Sequence, residues 1–254
     1  MIAGYFWLND RQWKKVAPLL PPYLRGKRRV DDRRVISGII QVILSGCRWS
    51  DAPLEYGPRK TLYNRFVRWA VRGIWEDVFM ALARAGGPPA EALLDSTHVK
   101  VHRSASTGRR KRGIRARSGR AAVAATPKSI LSPMPMAVPR SSAWTGGQRH
   151  DSVPARAMLA RLPSDLRVIA DAAYDSDELR HWLAERGSRV IIPNRQNRKR
   201  PYAFDAVTYK RRNIVERTFC RLKDFRRLAI RYDRLDATFV ATICIAASLA
   251  YFLK

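Results

Sequence analysis

The chain has 254 residues, enough for two ordinary domains, and carries 49 Lys and Arg against 21 Asp and Glu, a formal charge of +28. That balance, with a pI near 11.2, is the electrostatic footprint of a nucleic-acid partner. Anionic membranes would also suit it, but no apolar stretch reaches the length of a bilayer span. Cys47, Cys220 and Cys244 are odd in number and form no CxxC pair, which argues against a disulfide framework or a structural zinc site. Buried thiols are expected instead.

In chain order, residues 1–85 read as an all-helical, DNA-binding domain. Asn9 is placed to cap a first helix that Pro21-Pro22 ends. Asp31 or Asp32 opens a second, in which Val35, Ile36, Ile39, Ile40 and Ile43 recur at helical spacing. A third, Thr61 to Ala70, turns Leu62, Phe66 and Trp69 inward and is ringed by Arg59, Lys60, Arg65, Arg68 and Arg72. A fourth runs from Trp75 to Arg84. Small helical bundles with a basic rim commonly dock a helix into a major groove, although a scaffold or dimerisation domain would read the same way. Gly86-Gly87-Pro88-Pro89 is a breaker cluster that suits a linker. No basic-then-apolar leader is visible at the N-terminus, so a cytoplasmic, nucleoid-associated location is expected.

Residues 90–254 follow a strand, irregular stretch, strand, helix, strand, helix order, which is the pattern of an α/β domain. The segment Ala92-Leu93-Leu94-Asp95-Ser96-Thr97-His98 reads as a short buried strand that ends in an acid, and so does Leu166-Arg167-Val168-Ile169-Ala170-Asp171. Acids at strand ends lie at the carboxyl edge of a sheet, where α/β folds place their ligands. For either Asp alone, a helix cap or an Asx turn is the plainer explanation. A later strand, Ser188 to Pro193, leads into the basic loop Asn194-Arg195-Gln196-Asn197-Arg198-Lys199-Arg200. His98, His102, His150 and His181 lack metal-ligand spacing. His98 and His150 lie near the acids and suit a structural hydrogen bond as well as catalysis.

The most informative segment is YKRRNIVERTFCRLK. Tyr209, Arg212, Glu216 and Lys223 are spaced by three, four and seven residues, which places them on one stripe of a helix, with Ile214, Val215 and Leu222 on a separate, core-facing flank. The bland alternative is a solvated face with an Arg212–Glu216 pair worth a few tenths of a kcal/mol. Two strand-end acids and a helix-borne Glu that converge on one point need a cation between them, and hard divalent ions such as Mg²⁺ or Mn²⁺ suit oxygen ligands. Beyond this helix, Phe239 to Leu253 is apolar except for Thr242 and Ser248 and reads as a core helix.

These residues resemble the DDE transposases of bacterial insertion sequences, in particular the family named after insertion sequence five. LNDRQWKKVAPLLPP, DDRRVISGIIQVILSGCRWSDAP and YGPRKTLYNRFVRWAVRGIW look like its helical N-terminal region. LLDSTHVKVHRSAS, TGGQRHDS, ADAAYDSDELR, IIPNRQNRK and the Tyr-Arg-Glu-Lys helix look like its catalytic core. The resemblance implies an RNase H-like fold, a metal-binding catalytic triad of Asp95, Asp171 and Glu216, and DNA-positioning roles for Tyr209, Arg212 and Lys223. It further implies double-stranded DNA partners, namely the element's own ends and a target, and a homodimer on that DNA. An inactive DNA-binding remnant and a nuclease that hydrolyses without joining are the alternatives.

One segment departs from the family. Between Arg112 and Thr145, where two strands linking the first two acids are expected, the chain carries Pro127, Pro133, Pro135 and Pro139. Reading Lys128 to Pro139 one base back permits K-I-H-x-L-x-D-A-x-G-x-P, which looks like the missing strand pair. Residues from about 113 to 144 are therefore read as translated out of frame and irregular, leaving Asp95 on a poorly paired edge and this copy weakly active or inactive. The alternative is a genuine proline-containing insertion.

Overall fold

The computed structural model describes residues 4–22, 31–85, 90–98, 100–102, 105, 119–125, 136–137, 144–146, 155–156, 159–160 and 162–253. The linker at 86–89, His150 and the side chain of His98 lie outside this description. By compactness the chain divides into two units, Met1–Leu82 with Lys100–Ala116 and Arg221–Lys254, and Ala83–Val99 with Arg117–Cys220. The C-terminal helices thus pack with the N-terminal ones.

In the first unit, α1 (Asp10–Val16) begins at a reciprocal capping box between Asn9 and Gln12. The helix α2 (Asp32–Ser45) begins where the Asp31 carboxylate accepts from the N–H groups of Arg33 and Arg34, and it stops at Gly46, whose φ of 72° is left-handed. Its buried stripe of Val35, Ile36, Ile39, Ile40 and Ile43 is the one its periodicity predicts. The helix α3 (Arg59–Val71) turns Leu62, Phe66 and Trp69 inward as expected. Arg65 departs from the expected basic rim: it is buried, paired with Asp32 and stacked over Trp69. A fourth helix, α4 (Ile74–Arg84), follows.

The apolar C-terminal stretch forms a helix over Asp236–Ala247, buried from Thr238 to Ala247 and packed on α2 and α3. Close by, Arg231 is 1% exposed and bonds the Asp233 carbonyl and the Asp236 carboxylate. Burial pushes the Asp233 carboxyl above its usual range despite Arg227 and Arg231. Of the cysteines only Cys244 is buried; Cys47 is half-buried and Cys220 exposed, so the expectation of buried thiols holds for one of the three.

The second unit is built on a six-stranded mixed sheet. Its strands β1 (Glu91–His98), β3 (Gly119–Ala125), β4 (Met136–Ala137), β6 (Arg167–Ala170) and β7 (Arg189–Ile191) lie in the order β4-β3-β1-β6-β7, with β5 (Trp144–Gly146) also paired to β3. The short β2 (Lys100–Val101) pairs in the first unit with β8 (Ile230–Arg231). Strands β1, β6 and β7 are parallel, and β3 runs antiparallel to β1. Between β6 and β7, the helix α5 (Asp177–Glu185), capped by Ser176, packs Leu179 and Leu183 into the core. That core includes Ala92, Leu94, Val168, Ala170, Tyr174 and Ile192.

The structure departs from two expectations. The first is that β1 does not end at Asp95 but continues to His98, because β3 pairs with it through Leu93↔Ala125 to His98↔Arg120. The second is that the segment expected to be irregular supplies that partner. Gly119–Ala125 contains no proline, and the four prolines fall outside β3, β4 and β5. Asp95 therefore sits on a strand paired on both sides over Leu93 and Leu94. Residues 126–135 and 138–143 lie outside the described part.

Candidate active site

Strand register brings the first two acids together. Leu94 pairs with Ala170 across the parallel β1–β6 ladder, so Asp95 and Asp171 follow side by side at the carboxyl end of that ladder. Beyond Ala170 the chain leaves the sheet. Asp171 caps the turn Ala172–Tyr174, its Oδ1 accepting from the Ala173 N–H at 2.9 Å. The capping role and the site role coexist in one side chain, because the other oxygen faces Arg212.

The Tyr-Arg-Glu-Lys segment is not one continuous α-helix. A helical turn at Ala206–Tyr209 passes into a 3₁₀ turn at Lys210–Arg212 before α6 (Asn213–Lys223) begins. The charged run Lys210-Arg211-Arg212 offers no apolar side chain to a core, and the tighter turn still brings Arg212 over the sheet. Val215 and Leu222 are buried as expected, and Ile214 is half-buried.

Arg212 is the centre of the arrangement. Its Nη1 donates to Glu216 Oε1 at 2.7 Å, and its Nη2 lies 3.2 Å from Asp95 Oδ1 and 3.9 Å from Asp171 Oδ2. The three acids predicted from sequence thus meet around one guanidinium, well beyond an isolated Arg212–Glu216 surface pair. Asp95 is 8% exposed, Asp171 and Arg212 are half-buried, and Glu216 is exposed. Burial opposes the Arg212 charge, but Asp95, Tyr209, Glu216 and Asp171 raise its pKa, so it stays protonated. Its buried Nε–H has no acceptor among the described residues. Tyr209 lies in the same electrostatic neighbourhood, and burial raises its hydroxyl pKa above the usual value. Lys223, at the end of α6, belongs to the first unit.

Neighbouring acids and arginines repeat the pattern. Side chains two apart share a face of a strand, so Glu91 lies on the Asp95 face of β1. Glu91 is 1% exposed and pairs with Arg167 at 2.5 Å and with Arg211 at 3.0 Å. Two acids on one strand face therefore receive two consecutive arginines, which fixes the 3₁₀ turn over the sheet. Sequence reasoning missed Glu91, which reads as the solvated start of a strand. The available signal was its even, four-residue spacing from Asp95.

The donor set of Asp95, Asp171 and Glu216 has the chemistry of a hard divalent ion: carboxylate oxygens without sulfur or ring nitrogen. As arranged here the guanidinium spans it. Among the described residues no three His, Cys, Asp or Glu side chains stand close enough to share a metal ion. No described helix is long and apolar enough to cross a membrane.

Two acids at the carboxyl end of a parallel ladder beside a helix-borne acid, in a strongly basic α/β chain, are the features of nucleic-acid enzymes that work through carboxylates. Family comparison makes the class particular. Residues 86–253 match the family model described as "Transposase DDE domain", and residues 8–79 match "Putative transposase of IS4/5 family". The chain belongs to the DDE transposase family. Membership implies an RNase H-like fold, with which the mixed sheet agrees. Among curated proteins, the chain is 32% identical over 108 residues to the "Putative transposase for insertion sequence element IS6501" of Brucella ovis, 42% of this chain and 83% of that one. It is 31% identical over 108 residues to "Uncharacterized protein y4sN" of Sinorhizobium fredii, 42% of this chain and 86% of that one. A third relative, "Insertion element IS402 uncharacterized 16.2 kDa protein" of Burkholderia cepacia, is 29% identical over 107 residues, 37% of this chain and 73% of that one.

Proposed function

We propose that this transposase cuts the ends of its own insertion sequence and joins the freed 3′-OH to target DNA by metal-dependent phosphoryl transfer. The observation that carries the reading is the meeting of Asp95, Asp171 and Glu216 around Arg212. Asp95, Asp171 and Glu216 would hold Mg²⁺ or Mn²⁺, which when bound neutralises charge on the attacked phosphate and lowers the pKa of attacking water. The chain's own contribution is positioning. β1 and β6 fix two carboxylates side by side, and Glu91 holds the turn that presents Arg212. In the cutting step water attacks phosphorus and the P–O3′ bond breaks, leaving a 5′-phosphate and a 3′-OH. In the joining step that hydroxyl attacks a target phosphate and the target's own P–O3′ bond breaks. Residues 1–85 act as the DNA-binding domain, residues 90–254 as the catalytic domain, and Tyr209 and Lys223 help to position the strand.

A supercoiled-plasmid assay with element ends and Mg²⁺ separates the readings. Joined products support strand transfer. Nicks alone would indicate a simple nuclease, and bound, uncut DNA a remnant.

The reading frame of residues 113–144 is a separate proposal, supported by the family-like K-I-H-x-L-x-D-A-x-G-x-P that the shifted frame permits. Sequencing the encoding DNA tests it: a shifted reading unable to yield that string would end it. The unpaired Asp95 edge that motivated a defective copy is filled by β3.

A further inference from the structure

Just beyond Asp171, a hollow of about 1600 Å³ is walled by Ala172, Ala173, His181 and the basic loop 195–201. That loop is built with unusual rigidity for an exposed, charged segment. Its neck is closed by Asn194, whose side-chain amide donates to the Tyr202 carbonyl and accepts from the Tyr202 N–H, both at 2.9 Å. Its base is locked on Asp175, whose carboxylate is fully buried. One oxygen of that carboxylate accepts from Arg180 Nε at 2.6 Å, and the other from Arg198 Nε and the Arg195 N–H, each at 2.8 Å. Arg180 and Arg198 also flank the Tyr202 ring, at 4.5 and 4.8 Å. Arg195 clips the loop to the turn that carries Asp171, donating to the carbonyls of Ala172 and Ala173 at 3.1 and 2.7 Å.

Burying a carboxylate is costly unless it is paired, and Asp175 is paired several times over in order to fix a loop. The loop's remaining cations serve no such purpose. Lys199 and Arg200 are exposed and line the hollow, and among the described residues neither has an acidic partner. Exposed cations on an anchored loop, around a polar hollow next to the proposed phosphoryl-transfer site, suit one ligand chemistry, a run of phosphodiesters. We propose that the hollow is a DNA-backbone groove that leads a strand to Asp171, with Lys199 and Arg200 contacting phosphates and Asp175 as the positioning residue that holds the loop. The inference rests on the transposase reading and deepens it, since it names where on this unit the strand runs.

The test is the salt dependence of duplex DNA affinity for the full chain, measured in EDTA so that catalysis plays no part. Each neutralised phosphate contributes about 0.9 to the slope of log K against log salt. Lys199→Ala and Arg200→Ala should each reduce the slope by about one, with the circular dichroism spectrum unchanged. Asp175→Asn should reduce it by about two, and should have little further effect in the Lys199→Ala/Arg200→Ala background. A merely structural Asp175 would lower thermal stability without moving the slope, which would overturn its positioning role. Parental slopes in both single variants would overturn the groove and leave the transposase reading intact, whereas a parent chain that failed to bind duplex DNA would overturn both.

Discussion

Arg212 occupies the place where carboxylate repulsion calls for a cation. Its neutral substitution should therefore separate two roles. Arg212→Gln leaves Asp95, Asp171 and Glu216 without their shared counterion, so the metal-free protein should melt at a lower temperature than the parent. Mg²⁺ should then raise the melting temperature of the variant more than that of the parent, because the ion no longer competes with a guanidinium. Equal Mg²⁺ shifts in the two proteins would show that Arg212 and the ion do not share the acids. At Asp175 burial pushes the carboxyl pKa up, but Arg198, the Arg195 N–H and Arg180 outweigh it and hold the value at about 2. An unfolded Asp titrates near about 3.9, so the pairing contributes on the order of 2 kcal/mol that is fully present above that pH. It is lost as pH falls through about 2. Urea midpoints followed from pH 5 to pH 2 should fall less steeply in Asp175→Asn than in the parent, and parallel curves would refute the linkage.

Packing between elements makes a sharper demand in the helical unit. A Cβ added at Gly38 of α2 would stand 2.6 Å from Tyr56 Cβ and 2.9 Å from Leu62 Cδ2. Tyr56 cannot yield: it is fully buried and its hydroxyl donates to the Phe6 carbonyl at 2.7 Å. Removing a helical glycine gains about 0.5–1 kcal/mol, whereas overpacking costs roughly 1–3 kcal/mol. Gly38→Ala should therefore lower the unfolding free energy in urea titration, and a gain would contradict the packing.

The elements also show what the sequence made legible. Caps at Asn9 and Asp31 and the isoleucine stripe of α2 are local signals, and they appear where predicted. β3 was missed because GRAAVAA lacks strand alternation, and its pairing with β1 is a long-range backbone property. Arg65 was misplaced on the rim because its partner Asp32 is 33 residues away and no local pattern announces it. The 3₁₀ turn at Lys210–Arg212 escaped notice since a three-residue offset from Tyr209 to Arg212 suits either helix type. The acids of the site were readable as residues, and their shared arginine was readable only as a spacing. The Asp175 lock was not readable, since its partners Arg180, Arg195 and Arg198 come from other elements.

On the scale of the whole molecule, a formal charge of +28 makes DNA affinity largely independent of the three carboxylates proposed to be catalytic. Binding and chemistry should therefore come apart on substitution. In the proposed reading, metal coordination needs the charge of Asp95, Asp171 and Glu216, whereas DNA affinity does not. The most direct measurement compares Asp95→Asn, Asp171→Asn and Glu216→Gln with a parent chain active in the plasmid assay, scoring cut and joined products together with duplex affinity. Each variant should give neither cut nor joined DNA while binding duplex as the parent does. Full strand transfer by any one of the three would contradict the account and remove that residue from the site.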